Sequence, residues 1–176
     1  MIKYFKLFSL FVIFIVSLNC GSSSGSDGDV GYVLQPGGAT AYTTGSSYDI
    51  TFNGSTKNGA NKVAIIYNSE VNGTSYVGIG ASEDPNNSNS FNMKIYFQSS
   101  SIPNSITLDN TNSTIKVTES GSTYTNTSNS ITLTFTKIDD NFYQISFSPA
   151  SIALAPGPVT LQFNTSIKAS IIAINE

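Results

Sequence analysis

Short runs of alternating apolar and polar residues fill most of the chain beyond Gly31, and this period of two is typical of half-buried β-strands. In the run from 91 to 98, one side of the predicted strand carries Phe91, Met93, Ile95 and Phe97. In the run from 131 to 136, threonines alternate with Ile131, Leu133 and Phe135. Because successive side chains of a strand point to opposite faces, each run predicts one inward apolar face.

Turn-forming residues separate these runs and predict hairpins. Asp139-Asp140-Asn141 lies between the strand that contains Phe135 and a strand with Tyr143, Ile145 and Phe147. Asn72-Gly73 separates the runs 62–71 and 74–81, and Asn53-Gly54 follows Tyr48, Ile50 and Phe52. Both Asn-Gly pairs favour the positive backbone angles of a type I′ turn. Further strands are predicted around Ile106 and Leu108, around Ile115 and Val117, from Val159 to Phe163, and from Ile167 to Ala173.

The number and spacing of the runs predict an all-β domain. About nine or ten short strands with turns between them favour an antiparallel β-sandwich, and the alternative is a closed or partly open β-barrel. No segment has the pattern of a helix, and no repeat of fixed period is visible. A true immunoglobulin domain is excluded because the chain has one cysteine and no tryptophan.

The N-terminus has the layout of a secretory signal. Lys3 and Lys6 precede an apolar stretch from Leu7 to Leu18, and small residues follow Cys20. The stretch is shorter than the roughly 20 residues that cross a bilayer as a helix. We therefore expect the chain to be exported.

The pattern Val16-Ser17-Leu18-Asn19-Cys20 resembles the lipobox of bacterial lipoproteins, in a relaxed form similar to that of spirochaete lipoproteins. It departs from the usual pattern at Ser17 and Asn19. The resemblance implies lipidation of Cys20 and a position in the cell envelope, at the outer membrane or cell surface. The alternative is an ordinary signal peptide with an incidental cysteine. A single thiol in an exported chain has no intramolecular partner, which favours lipidation.

The same features divide the chain into three parts. Residues 1–19 are predicted to be the lipoprotein signal peptide. Residues 20–31 are expected to be the lipidated cysteine and a flexible tether rich in Gly, Ser and Asp, a composition that does not repay the entropy of ordering. Residues 32–176 form a single all-β domain, which is long enough to bury a core without disulfides.

Charge and composition exclude several functions. The eight lysines and arginines are all lysines, and removal of Lys3 and Lys6 leaves six against eleven acidic residues, so nucleic acid is not an expected partner. The chain has no histidine and no arginine, which removes the commonest general base and the bidentate anion ligand. We therefore predict no cofactor, no catalytic residues and no enzymatic activity.

Glu83 and Asp84 are the weak candidates for a metal site. They begin the segment Glu83-Asp84-Pro85-Asn86-Asn87, whose carboxylate and amide oxygens are ligands that calcium accepts. The spacing does not match a twelve-residue calcium loop. Because Pro and Asn also form turns for conformational reasons, an ordinary turn is the preferred interpretation.

Asn92, Lys94 and Tyr96 form a candidate binding face. They alternate with the apolar residues of their strand, so the tyrosine is predicted on the polar side beside an amide and an ammonium group. Exposed aromatic rings beside amides commonly bind sugars or flat protein surfaces. The alternative is that the ring is covered, or serves only as a good strand former.

Two functions from different classes follow. The first is a lipid-anchored envelope protein with a non-catalytic interaction or structural role, attached to the membrane through Cys20 and contacting an unidentified protein or glycan. The second is a secreted carbohydrate-binding domain or a glycan-active enzyme with two carboxylates, since that mechanism needs only Asp and Glu. A cleft with two facing carboxylates would favour the enzyme.

Overall fold

The computed structural model describes residues 45–57, 63–84, 87, 89–127 and 129–172, and every regular element among them is a β-strand. Thirteen strands follow one another along this part of the chain: β1 (Ile50–Phe52), β2 (Ser55–Lys57), β3 (Val63–Val71), β4 (Thr74–Ser82), β5 (Asn92–Gln98), β6 (Ser105–Leu108), β7 (Ser113–Glu119), β8 (Ser122–Asn126), β9 (Ile131–Lys137), β10 (Phe142–Ser148), β11 (Ser151–Ala155), β12 (Val159–Phe163) and β13 (Ile167–Ile172).

All thirteen strands belong to one sheet, in the order β2-β1-β12-β11-β8-β7-β5-β4-β3-β13-β10-β9-β6. Neighbouring strands are antiparallel except β13 and β3, which run parallel with Ser170 opposite Ile65. The two edges of the sheet are β2 and β6. The chain leaves β5 to form β6 at one edge and then returns to pair β7 with β5.

The sheet is strongly curled into a half-barrel. The rings of Phe147 on β10 and Phe163 on β12 stack with centroids 3.7 Å apart, although seven strands separate β10 from β12 in the sheet order. Side chains from strands near both edges, including Phe52 and Leu133, belong to one buried apolar cluster. Curling therefore lets one sheet enclose a core that would otherwise need a second layer.

The all-β class is confirmed, whereas the β-sandwich is not. The described strands form one continuous sheet of thirteen strands rather than two packed sheets of nine or ten in total. The half-barrel lies closer to the alternative of a partly open barrel. Alternation along a strand cannot distinguish these arrangements, because an inward apolar face forms in both.

The predicted turns are confirmed by backbone angles. Asn53 and Gly54 have φ values of 48° and 78°, and Asn72 and Gly73 have 52° and 75°. The hairpin of β9 and β10 across residues 139–141 is also present, with Ile145 opposite Phe135. Ala173, the expected last apolar position of the final strand, lies outside the described residues.

The inner face of the sheet carries the main core and the outer face is mostly polar. Along β4, Val77, Ile79 and Ala81 point into the core, so Gly78 lies on the outer face. A Cβ atom on Gly78 would lie 2.1 Å from Cζ of Tyr67, which belongs to a small outer cluster with Val63, Ile65 and Ile172. Gly78 is therefore required for close packing of the Tyr67 ring.

Candidate functional site

An open cleft of about 770 Å³ lies where β5 ends and β7 begins. It is lined by side chains of β4, β5, β6 and β7 and by the connection between β6 and β7. The described lining residues are Tyr76, Tyr96, Phe97, Gln98, Ile106, Asn110, Thr111, Asn112, Ser113 and Thr114. We call this site the tyrosine cleft.

Strand alternation places the two tyrosines on one surface. Tyr76 is opposite Gln98 and Gly78 is opposite Tyr96 in the pairing of β4 with β5, so the tyrosines are diagonal neighbours on the outer face. Diagonal neighbours lie about 7–8 Å apart, within reach of aromatic side chains. Thr114 continues the same face because β7 places it opposite Tyr96. Both tyrosines are half-buried.

A hydrogen-bonded turn forms one wall of the cleft. Oδ1 of Asp109 accepts hydrogen bonds from the backbone N–H and the hydroxyl of Thr111, at 2.7 and 2.6 Å, and from the backbone N–H of Asn112. Oδ1 of Asn112 accepts from the Asp109 N–H, and its amide nitrogen donates to the Thr107 carbonyl. Ser113 Oγ donates to the Asp109 carbonyl at 2.6 Å. This network fixes the backbone between β6 and β7.

The hydrogen bonds also affect the charge of the turn. Donation from the Thr111 hydroxyl, followed by donation from the backbone of Thr111 and Asn112, lowers the pKa of the Asp109 carboxyl below its usual value. Asp109 is therefore a carboxylate at neutral pH, and its charge is directed at donors within the turn. Its side chain is not among the residues that line the cleft.

The described lining residues carry no ionisable acid or base other than the two phenols. They offer aromatic rings, three exposed amides at Gln98, Asn110 and Asn112, and hydroxyl groups. Such groups bind by stacking and hydrogen bonding. They provide no pair of carboxylates for glycoside hydrolysis and no cluster of cations for phosphate.

The candidate face of Asn92, Lys94 and Tyr96 is on the outer side of β5, and all three side chains are half-buried. Only Tyr96 of the three is among the described lining residues of the cleft. Lys94 lies opposite Lys116 in the pairing of β5 with β7. Oδ1 of Asn92 is buried without a hydrogen-bond partner in the described part of the chain. The three residues thus share the outer side of β5, and the cleft lies at the Tyr96 end of this row.

Glu83 and Asp84 directly follow β4 and are half-buried. The backbone N–H of Glu83 donates to the Phe91 carbonyl, and the Asp84 carbonyl accepts from Ser90 Oγ at 2.8 Å. Burial and, secondarily, the charge of Glu83 raise the pKa of Tyr48 above its ordinary value. Within the described residues no group of three or more acidic, cysteine or histidine side chains comes together, so no third carboxylate joins this pair there.

The sequence did not single out Tyr76 or Asn110 as site residues. They come from β4 and from the turn after β6, and only the pairing of β5 with β4 and β7 brings them beside Tyr96. One local signal was available, because Tyr76 precedes Val77 on the polar side of an alternating strand.

Residues 1–19, Cys20 and the tether of residues 20–31 lie outside the described residues. Among the described residues there is no helix that is long and apolar enough to cross a membrane. Comparison of the chain with protein-family models, curated proteins and solved structures finds no match.

Proposed function

We propose that the chain is an exported, lipid-anchored protein of the bacterial cell envelope whose β-domain is a non-catalytic binding module. The observation that carries the binding role is the tyrosine cleft, an open site with two tyrosines and several neutral polar side chains. Concave sites with aromatic walls and a few directed polar groups are typical of ligand binding.

The anchor rests on the sequence. Lys3 and Lys6, the apolar stretch that follows and the single thiol of Cys20 together match a lipoprotein signal. We expect the Gly, Ser and Asp residues after Cys20 to act as a tether between the lipid and the domain, because this composition is typical of linkers. We place the protein at the outer membrane or cell surface, where the domain contacts a protein or glycan.

The chemistry available to the domain supports binding rather than catalysis. A glycosidase needs two carboxyl groups about 5–9.5 Å apart across the bound sugar. The described residues that line the tyrosine cleft include none. The carboxylates of Asp109 and Asp140 are engaged locally, the first within its turn and the second with Lys137 at 2.8 Å.

The anchor is tested by Cys20→Ser, with Ser24→Ala in the tether as the control. We expect the wild type and the control to partition with membranes and to carry a lipid mass, because buried methylenes at about 0.8 kcal/mol each dominate membrane affinity. The Cys20→Ser variant should move to the soluble fraction. Unchanged partitioning of this variant, or a wild-type mass without lipid, would contradict the anchor.

The binding role is tested by screening the detergent-purified full-length protein against an array of glycans and a panel of extracellular proteins. We expect at least one specific ligand, and we expect the double variant Tyr76→Ala/Tyr96→Ala to lose it. Absence of any ligand in both collections would contradict a binding module. A panel of hydrolase substrates measured on the same protein should show no turnover.

A further inference from the structure

We propose that the tyrosine cleft binds a neutral glycan, with a sugar ring stacked against Tyr96 and Tyr76 and its hydroxyl groups bonded by Gln98 and Asn110. This inference rests on the proposed function, because it names the ligand class of the same site.

The aromatic part of the cleft fits the apolar face of a sugar ring. Tyr76 and Tyr96 are diagonal neighbours, and each is half-buried on the outer side of its strand. The inward side chains of β5, including Phe97, pack in the core and hold the backbone beneath the two rings. Carbon-bound hydrogens on one face of a pyranose ring contact an aromatic face favourably, and a tyrosine pays little conformational entropy for such a contact.

The polar part of the cleft fits sugar hydroxyl groups. Gln98 and Asn110 are exposed, and their side chains make no hydrogen bond to any other described residue. Each amide offers two donors and one acceptor oxygen, and each sugar hydroxyl both donates and accepts. The two amides lie at the same end of the β5–β7 ladder, since Gln98 ends β5 directly after Phe97 and Asn110 belongs to the turn before Ser113, the partner of Phe97.

The turn that carries Asn110 is held in place before any ligand arrives. Asp109 and Asn112 on either side of it exchange hydrogen bonds through backbone and side chain. A preorganised wall reduces the entropy lost on binding, which is the main cost for a weak polar ligand.

The charges favour a neutral glycan over an anionic one. Lysine is absent from the described lining residues, so a uronic acid or sulfate would find no cation in the cleft. The carboxylate nearest in sequence, Asp109, adds negative charge beside the turn. An apolar peptide fits less well, because Phe97 is buried and Ile106 is half-buried against the core.

The test is isothermal titration calorimetry of the full-length protein in detergent with cellohexaose, maltohexaose and chitohexaose, and with hexagalacturonate as the charged oligosaccharide of equal length. We expect at least one neutral oligosaccharide to bind, at least tenfold more tightly than hexagalacturonate. Because the chain has nine tyrosines and no tryptophan, quenching of tyrosine fluorescence gives a second measurement of the same event.

Variants locate the site. Tyr96→Ala should weaken binding at least tenfold, because truncating a central aromatic side chain typically weakens a complex by more than a factor of ten. Tyr96→Phe keeps the ring and should bind within about twofold of the wild type. Gln98→Ala and Asn110→Ala should each weaken binding severalfold at unchanged melting temperature. Phe142→Ala is the matched control, since Phe142 is a half-buried aromatic residue on the outer face of β10 outside the cleft.

Two results would overturn the inference. If none of the neutral oligosaccharides binds while the full-length protein binds an extracellular protein, the glycan inference fails and the proposed binding role stands. If a neutral oligosaccharide binds but Phe142→Ala weakens it as much as Tyr96→Ala, Gln98→Ala and Asn110→Ala do, the ligand lies elsewhere on the domain.

Discussion

Both edge strands of the sheet are connected to β7. The β2 edge is connected by an ion pair between side chains, and the β6 edge is connected by a hydrogen-bonded turn of the chain. At the β2 edge, Lys57 is only 5% exposed and forms an ion pair with Glu119 at the end of β7. Its ammonium group also lies 5.9 and 5.8 Å from the ring centroids of Phe52 and Phe91. At the β6 edge, the chain reaches the start of β7 through the exposed turn at Asp109.

We call the β2 edge the closed edge, because its contact with β7 is buried, and the β6 edge the open edge, because its connection to β7 is exposed. The Lys57 side chain points to the same face as the buried Ile50, so its pairing with Glu119 takes place inside the curl of the sheet. The Asp109 turn satisfies its polar groups among themselves and leaves the outer face beside it accessible. We infer that the first edge contributes stability, whereas the second contributes a binding surface.

Substitutions in the core beneath the β6 edge should cause the largest loss of stability. Phe135→Ala and Ile145→Ala should each lower the free energy of unfolding by about 2–5 kcal/mol, because each removes a buried side chain and leaves a cavity. The measurement is denaturant unfolding. Thr134→Ala on the exposed face of the same strand should be nearly silent. Equal effects of the three substitutions would mean that the inward and outward faces of β9 are reversed.

Substitutions of the ion pair at the β2 edge should cause an intermediate loss of stability. Lys57→Met should cost about 1–3 kcal/mol, less than a fully buried pair, because Glu119 is 27% exposed and keeps part of its hydration. The double variant Lys57→Met/Glu119→Gln should recover most of that loss in chemical unfolding. Lys137→Met is the control, since Lys137 and Asp140 form a pair whose side chains are 54% and 95% exposed. A loss at Lys137 as large as that at Lys57 would argue against a stabilising role for the closed edge.

The Asp109 turn should give the smallest effect on stability, and the effect should depend on pH. Because the folded pKa of Asp109 lies below its unfolded value of about 4, the stabilisation is present above that pH and is lost as the pH falls through the folded pKa. Asp109→Asn should therefore lower the melting temperature slightly at neutral pH, and the difference from wild type should shrink in strong acid.

Thr111→Val is the companion variant for this turn. It removes the hydroxyl that donates to Asp109 at 2.6 Å and should reproduce part of the loss. Both variants should also weaken the binding of any ligand in the tyrosine cleft, because they loosen the turn that carries Asn110. A melting difference that stays constant from neutral to acidic pH would show that the Asp109 carboxylate does not stabilise the folded state.

The sequence predicts some strands well because their side chains alternate and their turns are chemically specific. β9 and β10 belong to this group, and so do the Asn-Gly hairpins of β1 with β2 and of β3 with β4. Alternation does not predict β8, because Tyr124 is its one large apolar side chain among polar neighbours. The turn before it uses Ser120 and Gly121, with φ values of 51° and 77°, in place of a recognisable Asn-Gly pair.

The arrangement of strands was less predictable than their positions. Alternation identifies an inward face but does not state which strands are neighbours, so the excursion of β6 between β5 and β7 left no local signal. The candidate site shows the same division. Tyr96 was identifiable from its own strand, whereas Tyr76 and Asn110 join it only through pairings between distant segments.

The position of β13 has a consequence for how the chain reaches its folded state. Among the described strands, β13 alone connects the nine strands from β2 to β3 with the group of β10, β9 and β6. It is also the last of the described strands in sequence, and its Ser170 pairs with Ile65 far earlier in the chain. Such distant contacts fold slowly, because the entropy of closing a long loop must be met first. For a chain exported as proposed, this delay leaves time to cross the membrane while still unfolded.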